Sequence, residues 1–128
     1  MAINNSAAFN AYKQNSVTTA SPGELTLMLY NGALKFLGKS KVAIQEGSIE
    51  ELNTNLKKTQ AIISELMSTL KLEEPVAEQM FVLYEYMNRR LIEANITSDV
   101  TIINEVEELM MEFRDTWKEV IKITRQQQ

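Results

Sequence analysis

The residues of this chain that could do chemistry are carboxylates and one glycine-containing stretch, since the sequence has neither histidine nor cysteine. The stretch from Gly32 to Ser40 resembles a phosphate-binding loop, but five residues separate its two glycines where that motif has four. It also falls inside a predicted helix, whose backbone amides are already hydrogen-bonded. Glu105, Glu107 and Glu108 lie on a predicted solvent-facing side, where nothing raises a carboxyl pKa for acid–base catalysis.

The missing residue types exclude several kinds of site. Without histidine there is no Glu-x-x-His di-iron site, no histidine phosphotransfer, no histidine-based triad, and few ways to bind zinc. Without cysteine there is no disulfide framework and no thiolate chemistry. We therefore expect no enzyme activity, no cofactor and no metal site, which leaves binding as the function.

Composition narrows the kind of partner. The 128 residues suffice for one domain with a core, and 45% of them are hydrophobic, so the chain is not disordered by composition. The net charge of −4 argues against nucleic acid or anionic lipid as the main ligand. No signal-like segment follows Met1, and no apolar run approaches the ~20 residues of a membrane span. We expect a cytoplasmic protein with no membrane insertion.

The stretch from Ser21 to Leu37 organises the rest of the chain. Ser21 is a predicted N-cap, Pro22 suits the first helical position, and Glu24 completes a capping box. At about 100° per residue the helix presents two apolar stripes. The first consists of Leu25, Met28, Leu29, Gly32, Ala33 and Phe36, and the second of Leu27, Tyr30, Leu34 and Leu37. Such a helix either lies centrally in a bundle or lends its second stripe to a partner.

The remaining pattern predicts four helices. The first ends at Gly47, Ser48 caps a second that stops near Leu72, and Pro75 begins a third. A short turn over residues 95–98 precedes Asp99, the predicted cap of the fourth. The expected fold is all-α, an antiparallel up-and-down four-helix bundle over residues 21–125, with a flexible arm at 1–20 and a frayed tail at 126–128. The arm carries Phe9 and Tyr12, which either dock casually or form a strap over an apolar groove.

Several motifs together resemble the FliS family, the flagellin-specific export chaperones of bacteria. They are Ala11-Tyr12, Ala20-Ser21-Pro22, Met28-Leu29-Tyr30-Asn31-Gly32-Ala33, Leu83-Tyr84-x-Tyr86-Met87-x-Arg89-Arg90-Leu91 and Arg114-Asp115-x-Trp117. The resemblance spans roughly Phe9 to Ile123, and departs from the usual pattern at Asn31, where the family carries Asp. It implies a bundle that binds the disordered C-terminal segment of flagellin, prevents its polymerisation and keeps it competent for the flagellar type III export apparatus and its gate component. It also implies that Phe9 and Tyr12 take part in the partner groove.

The predicted partner-binding residues are apolar and lie off the expected core faces. They are Phe9, Tyr12, Leu27, Tyr30, Leu34, Leu37, Phe81 and Ile92. The alternative for the first helix is that it is simply the most enclosed one, with its second stripe covered by neighbours. Another alternative is a self-associating bundle in which that stripe forms a homodimer seam. Arg89 and Arg90 either bond a client or remain solvated or stacked on aromatic rings.

Overall fold

The computed structural model describes residues 21–126, apart from the side chains of Pro22 and Arg125. Four helices make up almost all of this range: α1 (Pro22–Gln45), α2 (Ile49–Ser68), α3 (Pro75–Thr97) and α4 (Val100–Gln126). No strand occurs between residues 21 and 126, and the all-α prediction is confirmed. The predicted arm at 1–20 and residues 127 and 128 lie outside the described part.

Local side-chain chemistry sets most of the helix ends. The Ser21 Oγ accepts a hydrogen bond from the Glu24 amide at 3.2 Å, and the Ser48 Oγ accepts one from the Glu51 amide at the same distance. Asp99 accepts from the Thr101 amide at 2.9 Å. Gly47 follows α1 with a φ of 70°, a conformation that glycine adopts without a Cβ penalty. These ends agree with the prediction because capping depends on neighbouring residues alone.

Two helix ends differ from the prediction. α2 stops at Ser68, short of Leu72, because the Ser68 and Thr69 hydroxyls donate to the carbonyls of Glu65 and Leu66, at 2.7 Å each. Such local bonds compete with a continuing helix. α3 continues through Thr97 across the predicted turn and ends at Ser98, which has a φ of 56° and donates its backbone N–H to the Ala94 carbonyl. Within this stretch the Asn95 side-chain amide donates to Asn53 Oδ1 on α2 at 2.7 Å. Asn95 therefore joins two helices and does not end one.

The helices form a ring in which each packs on its neighbours along the chain and α1 also packs on α4. The Lys41 amine reaches Glu107 at 2.7 Å, while the Trp117 indole reaches Gly23 near the other end of α1. These two contacts show that α1 and α4 run antiparallel. α1 and α3 lie diagonally across the bundle, as do α2 and α4. In the described part of the chain, no helix combines the length and apolar character needed to cross a membrane.

The core lies between all four helices and corrects the predicted division of α1. Tyr30 is 2% exposed and Leu37 is fully buried, so the structure contradicts their placement on a partner-facing stripe. Both belong to a continuous apolar cluster. Its other fully buried members include Ala33, Leu56, Ile63, Tyr84, Met87, Leu91, Ile103, Val106 and Met110. Some large apolar side chains of α2, α3 and α4 are exposed, among them Ile49, Val76, Leu83 and Val120.

Candidate partner-binding surfaces

The first candidate surface is the seam where the start of α1 meets the end of α4. The Trp117 Nε1–H donates to the Gly23 carbonyl at 2.7 Å. A Cβ built on Gly23 would lie 3.4 Å from Ile121 Cγ1, so the absent side chain allows close approach of the two helices. Because this hydrogen bond and this contact both lie at the same turn, they fix the first turn of α1 against α4.

Beside this seam is a surface cleft of about 360 Å³. Its lining residues come from both helices and are Glu24, Leu27, Lys118, Ile121, Lys122 and Gln126. Leu27 and Ile121 supply apolar side chains that are only partly buried. In residues 21–126, neither Lys118 nor Lys122 forms an ion pair. The cleft therefore combines apolar walls with two amines that have no carboxylate partner.

Helix geometry explains why the predicted second stripe of α1 divides into two. Leu27 and Leu34 are seven residues apart and share one side, while Tyr30 and Leu37 form another such pair about 60° further round. The second pair faces the interior, where Tyr30 contacts Tyr84. The first pair lies at the outer edge, with Leu34 partly buried against the core and Leu27 in the cleft. Leu27 and Leu34 therefore remain available to a partner, whereas Tyr30 and Leu37 are interior.

The second candidate surface is the outer edge of α3 on its α2 side. Phe81 is half-buried and Ile92 is 53% exposed. Asn88 and Asn95, which flank Ile92 along α3, bond Met67 and Asn53 of α2, so this side of α3 adjoins α2. Because α1 and α3 are diagonal, the structure does not bring Phe81 and Ile92 to the cleft. The four predicted site residues on the described helices that are not interior, Leu27, Leu34, Phe81 and Ile92, thus lie on two surfaces on opposite sides of the bundle.

The side of α3 that faces α4 is polar and carries its own ion pairs. Arg90 donates to Glu93 at 2.6 Å and to Glu105 at 2.8 Å, and the Tyr86 hydroxyl also donates to Glu105. The hydrogen bonds from Arg90 and Tyr86 lower the pKa of Glu105. The Arg89 guanidinium lies 5.8 Å from the centre of the Tyr86 ring. Both arginines are therefore held by contacts within the bundle.

Five of the six residues that line the cleft were not among the predicted site residues, namely Glu24, Lys118, Ile121, Lys122 and Gln126. The apolar periodicity of the fourth helix predicts Ile121 on its core face and Lys118 on or near its charged side. The spacing of Lys118 and Lys122 puts them on the same side of α4, and this regularity was the available signal. In the described residues, no group of three acidic side chains could hold a metal ion. The arrangement suits binding of a polypeptide, and the predicted residues Phe9 and Tyr12 lie outside the part described.

Comparison with known proteins identifies the family. A family model described as flagellar protein FliS matches residues 4–124. The chain is 49% identical over 125 residues to the flagellar secretion chaperone FliS of Bacillus subtilis (strain 168), covering 98% of this chain and 92% of that protein. It is 38% identical over 120 residues to the Campylobacter jejuni protein of the same name, covering 92% of this chain and 94% of the relative.

A solved structure supports the fold independently. The crystal structure of a flagellar chaperone from bacteria superposes with a TM-score of 0.74, covering 92% of this chain and 98% of that one. At 18% sequence identity this likeness concerns the fold alone. The family match covers nearly the whole chain and both relatives exceed 30% identity. These findings confirm the family resemblance and the prediction that the chain is not an enzyme: it belongs to the FliS family of flagellar secretion chaperones.

Proposed function

We propose that this chaperone binds the disordered C-terminal segment of flagellin in the bacterial cytoplasm and delivers it, unpolymerised, to the gate component of the flagellar type III export apparatus. The names of its relatives, flagellar secretion chaperones, support the general role. The client segment, the cytoplasmic location and the receiving component are our inference. Binding to the client covers the apolar surface through which flagellin subunits would associate prematurely.

The observation that carries the proposal is the pair of apolar surfaces on opposite sides of one filled core. Leu27 and Ile121 line the cleft between α1 and α4, and Phe81 and Ile92 lie across the bundle beside α2. A compact partner would meet only one of them. An extended segment that passes round the bundle reaches both, and the apolar area it buries offsets the chain entropy it loses.

The proposed client contacts are therefore Leu27, Leu34, Phe81 and Ile92. Phe9 and Tyr12 are retained from the family resemblance as further contacts. Tyr30 and Leu37 support the surface from inside and do not touch the client, because they are buried. The predicted homodimer seam was the second stripe of α1, and two of its four residues, Tyr30 and Leu37, are buried. Self-assembly through that stripe is therefore the weaker candidate. Light scattering of the free chain distinguishes a monomeric chaperone from a dimer.

Isothermal calorimetry with the C-terminal segment of a flagellin tests the proposal. We expect one-to-one binding with a large negative heat-capacity change, since long apolar surfaces leave water. Leu27→Asp and Ile92→Asp each weaken binding, because each places a charge in one of the two surfaces. Leu72→Asp and Val82→Asp are matched controls, since both residues are exposed apolar side chains outside these surfaces.

The possible results of this experiment lead to different conclusions. Loss of affinity in Leu27→Asp alone would restrict the client to the cleft. Equal affinities for all four variants and the wild type would exclude both surfaces. A Tyr12→Ala variant measured beside them tests the arm, and an unchanged affinity there removes Tyr12 from the proposed contacts. Circular dichroism of every variant establishes that the helices are intact before the affinities are compared.

A further inference from the structure

We propose that the cleft between α1 and α4 binds a part of the client in which a large apolar side chain is followed, within about one helical turn, by an acidic side chain. The apolar side chain enters between Leu27 and Ile121, and its neighbouring carboxylate lies against Lys118 and Lys122. This inference rests on the proposed function, because it specifies which chemistry of the client segment the cleft recognises.

The electrostatic argument begins with the two lysines. Lys118 and Lys122 are four residues apart on α4, where side chains lie about 5–6 Å from each other and like charges repel. Neither has an ion-pair partner in the described part of the chain. Glu24 lines the same cleft and supplies one negative charge against two positive ones. The residues that line the cleft therefore carry a net charge of +1 beside an apolar wall.

The size of the cleft limits what enters it. A volume of about 360 Å³ is at the lower end of the roughly 300–1,000 Å³ found for small-ligand pockets. The cleft thus accepts one or two side chains, and the rest of the segment passes over the surface. A residue pair with one apolar and one acidic member can contact both the apolar walls and the amines, whereas an entirely apolar segment can contact only the walls.

The charges also distinguish between possible occupants. The first 20 residues of this chain contain Lys13 and no aspartate or glutamate, so this segment has no carboxylate to place between the lysines. A second copy of the chain does have carboxylates, but two copies with a net charge of −4 each repel one another. The charges therefore favour an acidic side chain of the client segment as the group that lies against the two lysines.

The test measures the affinity of the full-length chaperone for a flagellin C-terminal segment at low and high salt. Charge reversal in Lys118→Glu/Lys122→Glu should weaken binding at low salt by roughly three- to tenfold, in line with a small number of exposed ion pairs. In this variant the contribution of the cleft to the salt dependence should change sign, because salt then screens a repulsion and no longer an attraction. Lys57→Glu/Lys71→Glu is the control with the same charge change, since both lysines are exposed and lie outside the cleft.

A charge swap identifies the client residue. Each acidic residue of the segment is replaced by lysine in turn, and one replacement should restore affinity for Lys118→Glu/Lys122→Glu while weakening binding to the wild type. A neutral variant, Lys118→Gln/Lys122→Gln, should give an intermediate affinity. The helix content of each variant is measured as the folding control for the series.

The outcomes separate this inference from the proposed function. If the wild type does not bind the segment at all, the proposed function fails. If the wild type binds and the charge-reversed variant binds equally well with the same salt response, the client is correct and the cleft inference is overturned. If no acid-to-lysine replacement restores affinity, the carboxylate is not the group recognised. Concentration-dependent sedimentation that charge reversal abolishes would assign the cleft to a second copy of the chain and overturn the inference.

Discussion

The hydroxyl groups of Tyr30 and Tyr84 lie 2.6 Å apart in the centre of the bundle, joining the diagonal helices α1 and α3. Both side chains are at most 2% exposed. The Tyr84 ring also meets Phe113 of α4 edge-on, with ring centres 5.3 Å apart. Since these helices have no broad direct packing, this hydrogen bond specifies which faces of α1 and α3 point inward.

Removing both hydroxyls of the pair should cost less than the sum of the two single removals. Tyr30→Phe or Tyr84→Phe leaves the other hydroxyl buried without its partner, so each single change lowers the free energy of unfolding by about 1–2 kcal/mol. The double variant removes both groups and should lose less than the sum of the single changes. Urea unfolding of the four proteins measures this difference. Additive losses would show that the hydroxyls are satisfied separately.

Stability should fall at alkaline pH because of the same pair. Burial raises the pKa of Tyr30 and Tyr84 above the ordinary value of 10.0. Above that pH the unfolded chain releases protons that the folded chain retains, so the free energy of unfolding decreases. The stabilising contribution is complete below about pH 10 and is lost as the pH rises through it towards the higher folded pKa, with a slope of at most about 1.4 kcal/mol per pH unit for each tyrosine.

Urea unfolding between neutral pH and pH 11 gives this slope. Tyr30→Phe/Tyr84→Phe should show a flatter decline than the wild type. A residual decline is expected, because the hydrogen bond to Glu105 also raises the pKa of Tyr86. An identical slope in wild type and double variant would mean that the buried tyrosines do not govern the alkaline loss.

Leu37 and Leu27 should separate stability from client binding. Leu37→Ala leaves a cavity in the core and should lower the free energy of unfolding by about 2–5 kcal/mol. Leu27→Ala removes a partly exposed side chain, so its cost should be below about 1 kcal/mol while its affinity for the client falls. Chemical unfolding and calorimetry of both variants provide the comparison. The reverse pattern would return Leu37 to the partner surface.

Two glycines of α1 should respond differently to alanine. A Cβ at Gly38 meets no atom within 4 Å, so Gly38→Ala should raise the free energy of unfolding by roughly 0.5–1 kcal/mol through reduced backbone entropy. A Cβ at Gly32 would lie 3.3 Å from Ile62 Cδ1, and that side chain would have to move. Gly32→Ala should therefore gain less, or lose stability. Thermal unfolding of both variants measures the contrast, and a larger gain at Gly32 would contradict it.

Trp117 should report occupation of the cleft. It is the single tryptophan of the chain, bonded to Gly23 and adjacent to Ile121. A client side chain entering the cleft changes the solvent around this indole, so its fluorescence emission should shift during titration with the flagellin segment. The Ile92→Asp variant is changed on the opposite surface. Its fluorescence emission should therefore shift in the same direction as that of the wild type, even if its affinity is lower. Binding without any spectral change would exclude the cleft.

Most helix boundaries could be predicted because they depend on residues close in sequence. Ser21, Ser48 and Asp99 cap helices with bonds to amides two or three residues away. The end of α3 could not be predicted in this way, because the Asn95 side chain bonds Asn53, which is 42 residues distant. Capping rules predict a helix end where the hydrogen-bond partner is close in sequence. They fail where the partner lies on another helix.

The candidate binding surfaces were likewise predictable only where neighbouring residues determine them. Periodicity by itself determined that α1 has two apolar sides, and the residue types by themselves pointed away from catalysis and towards binding. Only the tertiary structure decided that Tyr30 and Leu37 are interior while Leu27 remains at the surface. The physical reason is that 3.6 residues per turn give the angles between side chains on one helix but not the positions of its neighbours. The packing of α4 beside α1 determined which apolar side chains became core and which remained for a partner.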